Sequence, residues 1–467
     1  MLEMYRESLE AAGCFKKEYP TVIKSSMAAI SGNVPEKMQA LMTATELMLY
    51  ASHLRKPIMW EGHTIPVNTI SFLIGDSGAG KGRSVKSVRN LLKEGYELID
   101  KAREQDAKAK AVEDAEADGK KATDWRKYYS KPRSLIPNVS TLPGMMKHLA
   151  ALEHGKLGAG FLYVDEVGSE LVSNKDLSEN IIALAIGYDS GEIPPKLLKD
   201  DANQVEPIHN LPFSGLLFGS PANIIYDEPT KKKFKDEFST KLSRRSFFCF
   251  SQDKPEKITF TNIDAARQAA RDERERVQKV TEALTPWFTA LVGATRQTPL
   301  EVETEVEDLF SDYHGYNDWY ADSISKQHPM SALHRRHMQW KALKLAGAIA
   351  ILENEETVTV NHYVQAINFT EMFAEDLENF EVELDKEPYE LCSDYMRTTA
   401  ENGYLNMSIH KLRKMGYIKG NGTPKNKLLE LIDLMKTYDD SNKYEYSEGY
   451  IHFYEEAEED MHREELA

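Results

Sequence analysis

Residues 72 to 88 read FLIGDSGAGKGRSVKSV. The nine residues Gly75, Asp76, Ser77, Gly78, Ala79, Gly80, Lys81, Gly82 and Arg83 have the types and spacing to hold a polyphosphate such as ATP. A phosphate cradle needs backbone N–H groups turned inward, and glycines at 75, 78 and 80 let the chain curl that tightly. Lys81 supplies a point charge for the β- and γ-phosphates. A helix expected directly after it adds its positive N-terminus. The usual pattern, G-x-x-x-x-G-K, is followed by a Ser or Thr whose hydroxyl holds magnesium. Gly82 stands in that place. Ser84 is no substitute, since two residues along a helix amount to roughly 200° of rotation. Mg2+ must then be held by water, by the phosphates and by carboxylates elsewhere.

Those carboxylates are expected at the end of FLYVDE, four apolar residues followed by Asp165 and Glu166. Asp165 is suited to hold Mg2+ through its water shell. Glu166 is placed to orient and deprotonate an attacking water. Without the second acid, the loop layout G-x-x-G-x-G-K-G resembles that of adenylate kinases. With it, hydrolysis is the better fit. Two weaker signals follow. LLFGSPANI ends an apolar run in polar residues, of which Asn223 or Ser220 is placed to sense a γ-phosphate; ordinary turn chemistry is the other reading. In KLSRRSFF, Arg244 and Arg245 precede an apolar run and so fall at a domain edge. An arginine supplied by a neighbouring subunit stabilises transition-state charge, worth ~10³ to 10⁵ in rate. A salt-bridged surface pair is the alternative.

The elements that must position these groups follow from hydrophobic period. Residues 1 to 66 read as helices with polar breaks. From 67 to 258, short apolar runs (TISFLIG, GFLYV, LPFSGLLFG, SFFCF) alternate with helical patterns. That pattern predicts an α/β core with a mostly parallel, covered sheet, and a long helical arm at about 90–130. Residues 259–385 read as a helical lid in which TVTV is a short extended break. From 386 to 454, short helices precede KYEYSEGYIHFYEE, a hairpin around Glu448 and Gly449. This order predicts a winged-helix-like module, with an acidic tail at 455–467.

Composition narrows the class. Fifty-eight Lys and Arg against 75 Asp and Glu leave a net charge of −17, which argues against a general nucleic-acid coat. A local basic channel stays open, because fields are screened beyond ~8 to 10 Å. The cysteines at 14, 249 and 392 are far apart and lack metal-ligand spacing, as expected of a cytoplasmic protein in a reducing compartment. The longest apolar run, LAGAIAIL, is far short of the ~20 residues a membrane span needs.

Taken in order, GDSGAGKGRS, FLYVDEVGSEL, IGYDSGEI, LLFGSPANI and SRRSFFCF resemble an AAA+-type P-loop ATPase. The nearest likeness is to the phage and plasmid primase-associated helicase-like ATPases, kin to superfamily-three helicases. That resemblance implies a homo-oligomer, a hexameric ring, with ATP at the interfaces. It also implies that Arg335 or Arg336 in the lid reaches back to the nucleotide. A hairpin between the DE strand and the sensor strand is implied to meet single-stranded DNA in a central pore. Lys196, Lys199 and His209 are its candidates, and Lys231, Lys232 and Lys233 form a second basic cluster. A separate primase or other replication proteins are the implied partners. Three readings stand: a DNA motor, an ATP-dependent switch or helicase loader, and a nucleotide kinase.

Overall fold

The computed structural model describes residues 1–32, 34–75, 80–117, 119, 124–129, 135–136, 141–194, 207–251, 259–294, 298–418 and 424–455. Five parallel strands form its main sheet: β1 (Ile70–Gly75), β2 (Leu135–Ile136), β3 (Gly160–Val164), β4 (Phe213–Gly219) and β5 (Ser246–Ser251). Their order across the sheet is β2-β3-β4-β1-β5. Every residue of β1 and β4 is buried, as near-continuous apolar runs require when helices cover both faces. The alternating pattern thus produces the expected mixed α/β core.

Three helices matter most to the site. Helix α1 (Glu36–His53) is apolar nearly all round and is buried over most of its length. It packs against β1, β5 and a second helix, Met338–Leu352, buried at every position but Trp340. Helix α2 (Lys81–Leu91) leaves the glycine-rich loop, and α3 (Lys93–Ala117) follows after a break at Leu92. The break lets Gly95 lie against Tyr50, whose hydroxyl sits 2.0 Å from where a Cβ would stand.

Helices in 1–53, the main sheet and helices between 304 and 371 share one hydrophobic core running from Leu9 to Ala374. They form one compact unit, 1–219 with 237–379, rather than separate N-terminal, core and lid bodies. A two-strand hairpin, Ile58–Trp60 with His63–Ile65, interrupts the N-terminal helices. TVTV is extended as expected, and Thr357–Val358 pairs in parallel with Glu301–Val302.

A second unit comprises 220–236 with 380–467. It carries helices Pro388–Thr399, Ile409–Lys414 and Pro424–Tyr438, and strands β6 (Tyr404–Ser408), β7 (Asn442–Ser447) and β8 (Tyr450–Glu455). The strands form an antiparallel sheet in the order β6-β8-β7. Glu448 and Gly449, with φ of 49° and 87°, make the predicted hairpin turn.

Candidate functional site

Of the glycine-rich loop, Gly75, Gly80 and Lys81 are described at the sheet end; Asp76, Ser77, Gly78 and Ala79 lie outside the described residues. Gly75 closes β1, and a Cβ there would fall 2.9 Å from Met38 Cε. Gly80 caps α2 with φ of +74°, in the left-handed region that favours glycine, and a Cβ would meet Val34 Cγ2 at 2.8 Å. Two residues of the N-terminal region, Val34 and Met38, therefore wall the loop. Sequence spacing gave no signal for them.

Lys81 Nζ donates to Gly75 O and to Gly219 O, each at 3.1 Å. These carbonyls end neighbouring strands, since Ile74 pairs with Gly219. The acids leave the next strand over: Val164, just before Asp165, pairs with Leu217, two residues short of Gly219. Adjacent strands are about 4.8 Å apart, so Lys81, Asp165 and Glu166 share one end of the sheet. Parallel α/β sheets hold ligands at this carboxyl end.

Asp165 is exposed and accepts a hydrogen bond from Tyr163 Oη at 3.3 Å. Behind it, the Arg89 guanidinium lies 5.2 Å from the Tyr163 ring centre and pairs at 2.8 Å with Glu46, which is fully buried. Burial pushes the Glu46 carboxyl up to about 7, against the lowering pull of Arg89. Glu166 caps the following helix, its Oε1 accepting the Gly168 N–H at 3.3 Å.

Gly82 is exposed, and among the described residues a Cβ there meets nothing within 4 Å. Arg83 is also exposed. Ser84 is buried and its hydroxyl donates back to Gly80 O at 3.3 Å, which keeps it from the loop mouth as its helical position predicts.

The expected arginines are engaged elsewhere. Arg245 is buried, with Nε donating to Asp189 at 3.0 Å and Nη1 to Lys241 O at 2.7 Å. Arg244 also reaches Asp189, at 3.4 Å. Arg335 is only 3% exposed and sits within 3.0 to 3.2 Å of both Glu371 carboxylate oxygens. Its guanidinium covers the Tyr320 ring at 4.3 Å. Arg336 pairs with Asp322. A cleft of about 1260 Å³ runs from Val34 past Tyr19, Lys37, Tyr316, Tyr320 and Glu371, so Arg335 stands directly behind its wall.

The candidate DNA contacts separate. Lys196 and Lys199 lie outside the described residues. His209 is exposed at the root of the expected hairpin, where Ile193 and Ile208 form an antiparallel bridge; its N–H donates to Glu153 at 2.8 Å. Lys231, Lys232 and Lys233 fall on helix Glu228–Glu237 of the second unit, and helical period splits them. Lys231 turns inward, is 8% exposed and donates to Lys386 O at 3.0 Å, so it is not available to a polyanion. Lys232 is exposed and Lys233 half-buried. Asn223 is exposed on the short helix Pro221–Ile224, in the second unit.

No protein-family model matches the chain, and no curated protein matches it.

Proposed function

We propose that the chain is an ATP-hydrolysing enzyme of the AAA+ P-loop kind. The observation that carries the reading is the meeting of Lys81, Asp165 and Glu166 at the carboxyl end of one parallel sheet. In that sheet, strand β4 lies between the loop strand and the acid strand. Three features fit a polyphosphate with Mg2+. Gly80 is held left-handed where a Cβ would strike Val34, Lys81 rests on two strand-end carbonyls, and α2 offers its N-terminus. Magnesium, if bound there, would neutralise phosphate charge. Among the described residues no cluster of three or more His, Cys, Asp or Glu gathers for a metal, and magnesium on phosphates needs only one or two carboxylates.

In this reading Lys81 exchanges its carbonyl partners for phosphate oxygens. Asp165, oriented by Tyr163, would be the residue that holds the metal, through water. Glu166 turns from its capping bond to receive a proton from the attacking water. The full proposal is a hexameric, ring-forming motor on single-stranded DNA in phage or plasmid replication, resting on the sequence resemblance. The second unit, whose order is helix, strand, two helices and a hairpin, serves as its winged-helix-like docking module.

A second reading, an ATP-dependent switch or helicase loader, is favoured by the arginines. Arg244, Arg245 and Arg335 are each held by a carboxylate of their own chain. ATP turnover measured with and without single-stranded DNA separates the two, since only the motor is stimulated. Glu166→Gln should keep ATP binding and lose ~10² to 10⁴ in turnover. Normal hydrolysis by that variant would refute the assigned base.

A further inference from the structure

Asp165 is exposed, yet it hangs on a chain of side chains that runs into the core. Phe161, Tyr163 and Asp165 alternate along β3 and its end, so they fall on one face of the sheet. That face turns toward α2, the helix that begins with Lys81. Arg89 of α2 lies 5.8 Å from the Phe161 ring centre and 5.2 Å from that of Tyr163. The Tyr163 hydroxyl continues the chain by donating to Asp165 Oδ1 at 3.3 Å. We infer that Arg89 is a positioning residue: held by Glu46, it fixes the Tyr163 ring and, through the hydroxyl, the Asp165 carboxylate.

Each link is anchored from a different element. Glu46 lies on α1, its side chain is wholly buried, and it takes the Arg89 guanidinium at 2.8 Å. A guanidinium that only neutralised Glu46 would need no further contact. Arg89 also covers two rings of the strand that ends in the acids, and such cation–π contacts strengthen as water is excluded. On β4, the buried Phe218 ring meets that of Tyr163 edge-on, with centres 5.9 Å apart. Lys81 Nζ lies 5.9 Å from the same Phe218 ring centre. The Tyr163 ring thus has Arg89 and Phe218 as neighbours, and the second of them leads to Lys81.

Helix α1 braces both halves of the site. It supplies Met38 against Gly75, and its Thr45 hydroxyl donates to Ser71 Oγ of β1 at 2.7 Å. Through Glu46 and Arg89 it reaches the acid strand as well. The inference rests on the ATPase reading, in which Asp165 holds the metal through water, and it names what keeps that carboxylate aligned with the loop.

The test is the affinity of Mn2+, in place of Mg2+, for the full chain with a non-hydrolysable ATP analogue, read by electron paramagnetic resonance. Tyr163→Phe keeps the ring and removes only the hydroxyl. It should weaken Mn2+ by roughly tenfold, the low end for a group that orients a metal-holding carboxylate. Arg89→Lys keeps a charge for Glu46 but gives up the planar cover of the rings, and should lose about as much. The two combined should lose little more than either alone, because both act by one route. Affinity for the analogue without metal, and the thermal melt, should stay near wild type in Tyr163→Phe. Should the melt show Arg89→Lys unfolded, Glu46→Gln with Arg89→Met, which removes both charges together, takes its place. Full Mn2+ affinity in Tyr163→Phe, or losses in the two variants that multiply when combined, would overturn the inference and leave the ATPase reading standing. No binding of the analogue by wild type would instead remove the ATPase reading, and this inference with it.

Discussion

Lys81, Arg245 and Arg335 are cations of the same unit held differently, and Arg245, just before β5, lies at the opposite end of the sheet from Lys81. Lys81 rests on two backbone carbonyls, Gly75 O and Gly219 O. Arg335 rests on Glu371, a pair largely shielded from water, and Arg245 on Asp189, whose side chain is half exposed. A neutral carbonyl loses to a phosphate oxygen, because a charge-assisted bond is roughly twice as strong as a neutral one. A carboxylate competes with phosphate on equal terms. In the proposed reading Lys81 trades carbonyl bonds for phosphate ones, whereas Arg335 and Arg245 would first have to leave a carboxylate.

The largest effect should come from Lys81→Ala. Turnover should fall by ~10² to 10³, as when a preorganised charge-stabilising donor is removed. Thermal stability should move less than turnover, since the bonds to Gly75 O and Gly219 O are neutral ones and the side chain is part-exposed. A large drop in melting temperature with retained ATP binding would mean that Lys81 is a structural cap.

Glu371→Ala probes the opposite case. The carboxylate accepts from Arg335 and, at 2.7 Å, from Tyr313 Oη. Breaking a buried pair costs about 3–5 kcal/mol, because a charge is left without its partner. The melt should therefore shift down clearly. At a temperature where the variant is folded, ATP affinity gives the sharper reading. Tighter binding would mean that the released Arg335 reaches the nucleotide through the cleft wall, and unchanged binding would confine it to a structural role.

Lys344 extends the comparison to a fully buried cation held by neutral oxygens: Pro66 O, Asn68 Oδ1 and Tyr188 O, all within 2.9 Å. Burial lowers its pKa to about 7. The unfolded chain keeps the ordinary lysine value, so it binds more protons than the folded chain between pH 7 and 10 or so. Stability should accordingly rise with pH across that window and gain nothing from this group below it. Lys341, buried on the same helix and shifted the same way, adds to the slope. Urea denaturation at pH 7, 8 and 9 should show a shallower rise in Lys344→Met. An identical slope would remove Lys344 as a contributor.

How far the sequence reaches is clear from two Glu-Gly turns. Glu448-Gly449 lies between strongly alternating runs and reads as a hairpin at once. Glu61-Gly62 makes the same kind of turn, with φ of 47° and 79°, but its three-residue strands are too short for a period to register. The sheet strands were legible because burial on both faces makes them apolar throughout. The loop and the DE pair were legible because their chemistry is local. Val34 and Met38, which wall the glycines, and Glu371, which claims Arg335, were not. Each acts on a residue far along the chain, and nothing in a single sequence records such a pairing. Lys231 misled for a related reason: a basic run looks uniform until the helix turns one of its members inward against Lys386.

The smallest expected effect concerns Gly82. The missing hydroxyl is the chief departure of the loop from its usual form, and among the described residues no atom lies within 4 Å of where a Cβ at Gly82 would stand. Replacing a helical glycine in the first turn of α2 should leave stability level or raise it by about 0.5–1 kcal/mol. If Asp165 and the phosphates already hold Mg2+ adequately, Gly82→Thr should change the magnesium concentration for half-maximal turnover by less than about threefold, on the order of a weak extra ligand. A tenfold or greater drop in that concentration would mean that the native loop binds the metal poorly. The balance would then tip from a motor toward a switch that holds ATP and turns it over slowly, with the glycine as the element that sets the pace.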